Sequence, residues 1–166
     1  MNQTFNVVSG KVCLSDPCYK VGTWCGKYNV PAMNGKWLVS CEEIDKTIYS
    51  FTAHHEDMHK IFYTADWIND LGVDSGQFGI FDASIYDGGG DFDEPGFYKD
   101  CCDATLSKAN CGIIQGKGFV SSSGYGDGNY SAFALYSEEG ELVSLNVDFV
   151  EEDEEDDWLD DDEDED

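Results

Sequence analysis

Arginine is absent from this 166-residue chain: all nine basic residues are lysine, set against 35 acids. Arginine supplies the bidentate fork that grips phosphates and guanine edges. Binding to a nucleic-acid backbone rests on basic groups that displace counterions. With a formal net charge of −26, the chain is expected to be repelled by DNA and RNA, so direct nucleic-acid binding is excluded as a working reading. Long apolar runs are missing too. No segment approaches the ~18 continuous apolar residues of a membrane span. The opening "MNQTFNVVSG" has neither the basic start nor the apolar core of a secretory signal. The expectation is therefore a cytoplasmic protein in a reducing setting (host cytoplasm, if phage-encoded) with mostly free thiols. Its seven cysteines, at positions 13, 18, 25, 41, 101, 102 and 111, are an odd number for a disulfide framework. In that setting the Asn129-Tyr130-Ser131 glycosylation triplet is a chance match.

What the chain has in excess is acid, and much of it at one end. Residues 151–166, "EEDEEDDWLDDDEDED", hold fourteen acids and no base. Such a block repels itself and cannot bury enough apolar surface to offset the ordering of the chain. The sequence thus divides into a single globular β-rich domain over 1–150 and a disordered acidic tail over 151–166. Without the tail's fourteen charges the body still carries −12.

Within the body, β-branched and aromatic residues favour strands. "KWLVSC" at 36–41 and "KTIYSFTAHH" at 46–55 read as a hairpin. Residues 117–124, 129–136 and 141–149 read as a three-stranded meander broken at "GDGN" and "EEGE", where Asp-Gly and Gly suit tight turns. A short helix is expected within 95–109, near Pro95, and residues 56–71 are ambiguous between a helix and a loop feeding a strand. The fold class is mainly β with a minor α part: a compact antiparallel sheet, or a partly closed barrel or sandwich, with one or two short helices. "SGKVCLSD" at 9–16 and "SGQFGIFD" at 75–82 share a template of Ser-Gly, alternate apolar residues and Asp. Either the fold has two related halves, or a common strand-and-turn pattern occurs twice.

The segments "SGKVCLSDPCY", "VDSGQFGIFD" and "GYGDGNYSAFAL" followed by "GELVSLNVDF" resemble a group of small, largely uncharacterised bacterial and phage β domains. Those carry a D-P-C-Y turn, a D-S-G-Q strand and a G-D-G-x-Y hairpin in that order. The resemblance covers most of residues 7–149 and implies a prokaryotic or phage cytosolic setting. It carries over no catalytic residues, and the acidic tail lies outside the pattern.

Candidate chemistry is sparse. His55 and His59 are four apart and would share a helix face suited to zinc, but the order is not that of H-E-x-x-H. If the strand runs through His54 and His55, their rings point to opposite faces. "YDGGGDFDEPG" offers Asp87, Asp91 and Asp93 as calcium ligands, without the alternating register of an EF-hand loop. The cysteines do not form the two paired C-x2–4-C knuckles of a structural zinc site, and the abundant acids work against the lowered pKa that a nucleophilic thiol needs. Asp16, Asp82 and Asp127 could act as acid and base, or hold a ligand or metal, if the duplicated strands bring their ends together. No cofactor is required by these patterns; zinc or calcium is a weak option.

The favoured expectation is a non-enzymatic acidic binding protein, a phage or bacterial inhibitor or regulator that engages a basic protein or cationic groove, by charge or DNA mimicry. The contact is expected in the tail, through Glu151, Glu152, Asp153, Glu154, Glu155, Asp156 and Asp157, with Trp158 and Leu159 as an apolar anchor. The alternative is a small metal- or ligand-binding domain, or a hydrolase, using the strand-end carboxylates.

Overall fold

The structure, a computed structural model, describes residues 2–90, 93–124 and 126–149. Strands run as β1 (Asn2–Val7), β2 (Lys11–Ser15), β3 (Lys27–Pro31), β4 (Gly35–Ile44), β5 (Thr47–His55), β6 (Tyr63–Val73), β7 (Gln77–Asp82), β8 (Cys111–Ile113), β9 (Gly118–Ser122), β10 (Gly128–Ser137) and β11 (Leu142–Asp148). One helix, α1 (Phe97–Thr105), and a single 3-10 turn at Met58–Lys60 complete the described elements. The first sheet has the order β1-β4-β5-β11-β10-β6 and the second β3-β2-β7-β9-β8, and the strand pairings within each are antiparallel. The fold class is thus mainly β, an open two-sheet sandwich and not a closed barrel.

Burial explains the residue patterns. The inner faces of both sheets meet in a core that includes Phe5, Trp37, Phe51, Phe78, Ile80, Phe119, Leu145 and Val147. Phe51 of the first sheet meets Phe119 of the second edge to face, 5.0 Å between ring centres. The outer face of the second sheet is covered as well: Cys13, Phe81 and Val120 pack with Tyr86, Ile114 and, from α1, Phe97 and Cys101. Strand β7 is therefore buried at every position, which is why its sequence is nearly continuous in apolar residues where one-sided strands alternate.

The expected hairpin over 36–55 is present as β4–β5, and residues 58–73 form the 3-10 turn and the long strand β6. The expected meander is corrected. β10 and β11 form a hairpin, but β9 belongs to the second sheet beside β7 and β8. The "GDGN" break is a crossing between sheets, not a tight turn. Both kinds of link use Asp and Gly, because both need backbone conformations that ordinary side chains resist; Gly124 and Gly126 here have φ of 63° and 96°. The Ser-Gly steps are crossings as well, carrying β1 into β2 and β6 into β7.

Those two crossings mark an internal two-fold relation through the whole sandwich. β1, β2, β3, β4 and β5 correspond to β6, β7, β9, β10 and β11, and the approximate axis runs between β5 and β11 and between β2 and β7. The correspondence holds to single hydrogen bonds. Val7 pairs Gly35 as Val73 pairs Gly128. The amides of Ala32 and Ser123 donate to the carbonyls of Gly10 and Gly76, both at 2.9 Å. Asn6 donates to Gly116 as Gly72 donates to Cys25, again both at 2.9 Å. The second half alone carries α1 and β8, between β7 and β9.

Candidate functional site

Asp16 and Asp82 are equivalent under this relation and do not meet. Val12 pairs Asp82 in the β2–β7 ladder, and Asp16 follows the opposite end of β2, so the carboxylates sit at opposite ends of the central strand pair. Both are completely buried. Asp16 Oδ2 accepts the amides of Asp74 (2.8 Å) and Ser75 (2.7 Å), while Oδ1 accepts the Cys18 amide at 2.8 Å. Asp82 Oδ2 accepts the amides of Val8 (2.5 Å) and Ser9 (3.0 Å), while Oδ1 accepts the Ser84 amide at 2.8 Å. Each carboxylate thus closes its own turn and holds the Ser-Gly crossing of the other half. Burial pushes the Asp82 carboxyl up, but the amides of Val8 and Ser84 and the Ser9 group outweigh it and leave it at about 2. Carboxylates occupied in this way anchor backbone. The pairing of Asp16 and Asp82 as acid and base lacks its geometric premise.

The motif residues around Asp16 form a buried polar chain. The Ser75 hydroxyl donates to Asp16 Oδ1 at 2.6 Å, and Gln77 Nε2 donates to Ser75 Oγ at 3.1 Å. Thr105 of α1 donates to Gln77 Oε1 at 3.2 Å. The D-S-G-Q stretch therefore ties the helix to the Asp16 corner. Tyr86 donates to the Tyr19 carbonyl at 2.6 Å, and burial pushes its phenol up. Gly88 packs so closely on the Tyr19 carbonyl and Tyr86 hydroxyl that a Cβ would collide with both. The glycines of the expected calcium loop begin with this packing role.

The three sequence motifs converge on one groove. A hollow of about 470 Å³ is lined by Tyr19 of the D-P-C-Y turn and Thr23, Trp24 and Cys25 of the loop after it, by Gly72, Val73 and Asp74 entering the D-S-G-Q strand, and by Asp127, Gly128 and Asn129 of the G-D-G crossing. Cys25 Sγ and Tyr19 Oη approach Gly72 so tightly that β6 accepts only glycine there. Burial and contact with Cys25 push the Tyr19 phenol up, so it stays neutral. Trp24 is 75% exposed, and Asp74 and Asp127 are exposed too. The two-fold relation shows what these side chains are not needed for. The equivalents of Asp74 and Asp127 are Val8 and Asn34, and Asn34 Oδ1 accepts the Gly10 amide at 2.7 Å. The first half builds the same corner without either carboxylate. The groove is thus a rim of two carboxylates and one aromatic face, suited to a cation.

The remaining candidates lie elsewhere. His55 is buried, its Nε2 2.9 Å from the Asn34 carbonyl and its Nδ1 accepting the Asp57 amide at 3.0 Å; both ring nitrogens are occupied. His54 lies on the opposite face of β5, and His59 is exposed on the 3-10 turn. Asp87 and Asp93 are exposed; Asp91 and the tail residues Glu151–Leu159 lie outside the described residues. Among the described residues no group of three His, Cys, Asp or Glu side chains is placed to hold a metal ion. Asp74 and Trp24 were not candidates in the sequence. The unequal partners Val8 and Asp74, within otherwise matched Ser-Gly corners, were the available signal. Comparison with protein-family models, curated proteins and solved structures finds no match to this chain, so the functional reading rests on the geometry.

Proposed function

We propose that the protein is a non-enzymatic binding protein that engages a cationic segment of another protein. The observation that carries this reading is the pair Asp74 and Asp127 beside the exposed Trp24, supernumerary to the scaffold and gathered on one groove. A lysine or arginine side chain laid on the indole would take a cation–π contact of about 0.5–2 kcal/mol, and the flanking carboxylates would add charge-assisted bonds. The formal charge of −26 draws such a partner in from a distance, and the tail over 151–159 adds to that steering. The phage or bacterial setting implied by the motif resemblance makes a host or defence protein with a basic groove a fitting partner, met by charge mimicry.

The test is an NMR titration of the isotope-labelled full chain with a short lysine- and arginine-rich peptide, against a neutral peptide of equal length. The expected result is salt-sensitive movement of the Trp24 indole and the Gly72 and Gly128 amides, lost in the Asp74→Asn, Asp127→Asn double variant. Shifts confined to 151–166, or unchanged in the double variant, would sink the groove as the contact.

A further inference from the structure

Cys41 and Cys111 meet across the gap between the two sheets. Cys41 lies in β4 of the first sheet, and Cys111 opens β8 at the edge of the second. Cys41 packs against the core cluster that contains Cys111, and Gln3 of β1 donates Nε2 to Cys111 Sγ at 3.5 Å. A hollow of about 270 Å³, lined by Gln3, Cys41, Glu43, Ala109 and Cys111, opens beside both sulfurs. Asn110 fixes the approach: its Nδ2 donates to the Lys46 carbonyl at 3.0 Å, and its own carbonyl accepts the Ser122 amide at 2.8 Å. An adjoining hollow of about 600 Å³ carries Lys46 and Lys108 on its wall together with Glu43, so two cations face one carboxylate there.

Burial does not set this pair apart: Cys111 is buried like Cys13, Cys25, Cys101 and Cys102, and Cys41 is half-buried like Cys18. What sets it apart is the hollow that both sulfurs border. Burial, with Asp16 close by, pushes the Cys18 thiol up to about 12. At Cys111 the Cys41 thiol donates to the sulfur and favours the thiolate; burial opposes this, Gln3 assists, and the balance lies at about 7. The groups facing Cys111 are Cys41 and the opposing carboxylate Glu43 from β4 and Gln3 from β1, with Ser121 beside it on β9. As the donor, Cys41 is pushed up.

We propose that Cys111 and Cys41 form a thiol–disulfide exchange site that takes a small anionic disulfide and closes into a bond joining the two sheets. The Cys111 thiolate attacks one sulfur of the reagent, whose S–S bond breaks and releases one thiolate to take a proton from water. Cys41 then gives its proton to solvent and attacks Cys111 Sγ, expelling the second reagent thiolate. Two protein thiols are oxidised and one small disulfide is reduced to two thiols. Lys46 and Lys108 would receive the reagent's carboxylates.

The experiment treats the folded full chain with oxidised glutathione at neutral pH, quenches in acid and maps peptides by mass. The expected result is loss of two thiols and a peptide pair joined through Cys41 and Cys111. Cys41→Ser, which keeps a donor, should halt at a glutathione adduct on Cys111, and Cys111→Ser should give neither product. Cys41→Ala removes the donor and should slow iodoacetamide alkylation of Cys111 at pH 7 roughly tenfold, as expected when a thiol returns toward its ordinary value. A first adduct on Cys18, or no thiol loss while the protein stays folded, would overturn the proposal.

Discussion

Asp16 and Asp82 occupy equivalent places, yet the corners they hold are not equally built. Around Asp82 three backbone amides donate to the carboxylate; the Ser9 hydroxyl donates to the Lys11 carbonyl at 3.1 Å, and the Ser9 and Ser84 side chains act on the carboxylate only by helping to lower its pKa. Around Asp16 the same three amide positions are filled, and the equivalent Ser75 hydroxyl turns inward to add a fourth bond that continues through Gln77 to α1. The shared part is what the sandwich needs: a buried carboxylate that satisfies amides stranded where the chain changes sheets. The added part serves the helix that the second half alone carries. A buried acid in a duplicated motif is thus read first as a backbone cap, and the difference between copies shows what else a corner does.

Removing the anchors tests the shared part and has the largest expected effect. Asp16→Ala leaves three part-buried amides and one hydroxyl without their acceptor and should cost about 2–4 kcal/mol; Asp82→Ala should cost somewhat less. Urea unfolding measures both. The added part is tested in the same series: Ser75→Ala should cost about 1–2 kcal/mol, and Ser9→Ala under about 0.5 kcal/mol. Equal costs for the two serines would mean that the helix tie carries no energy of its own.

The next effect is electrostatic. The Asp82 carboxyl stands at about 2 in the folded protein and returns to an ordinary value near 3.9 on unfolding. The unfolded chain takes up the proton first as acid is added. The contribution, about 2 kcal/mol, is therefore complete above roughly pH 4 and lost as the pH falls through about 2. Unfolding series from pH 5 to pH 2 on the native chain and Asp82→Asn should converge toward the acid end. A constant gap between them would show that Asp82 titrates alike in both states.

Local chemistry made part of this architecture legible in advance and hid the rest. The β4–β5 and β10–β11 hairpins were readable because each needs only neighbouring residues and a turn. The placement of β9 was not, because "GDGN" suits a hairpin and a sheet crossing equally, and which sheet a strand joins depends on partners as distant as Gln77–Phe81. The "SGKVCLSD" and "SGQFGIFD" repeat was visible, but the role of its aspartates was not. Nothing local says that Asp16 bonds amides 58 and 59 residues away. The groove was hidden for the same reason, since Trp24, Asp74 and Asp127 come from three segments joined only by the fold. The Cys41–Cys111 contact spans two sheets, and spacing alone could not pair them.

The smallest expected effect is the most discriminating for the groove. Asn34 and Asp127 are equivalent, and Asn34 serves the scaffold by accepting the Gly10 amide. Asp127→Asn therefore gives the second half the residue that the first half already tolerates at this corner. It should change stability by no more than about 0.5 kcal/mol, the usual range for an exposed substitution, while weakening the groove's hold on a cationic peptide severalfold. Thermal unfolding and the peptide titration read these separately. A stability loss well above 1 kcal/mol would place Asp127 in the scaffold beside Asp16 and Asp82. A neutral stability with weakened binding would leave the two halves alike in what holds them up and different in what they present to a partner.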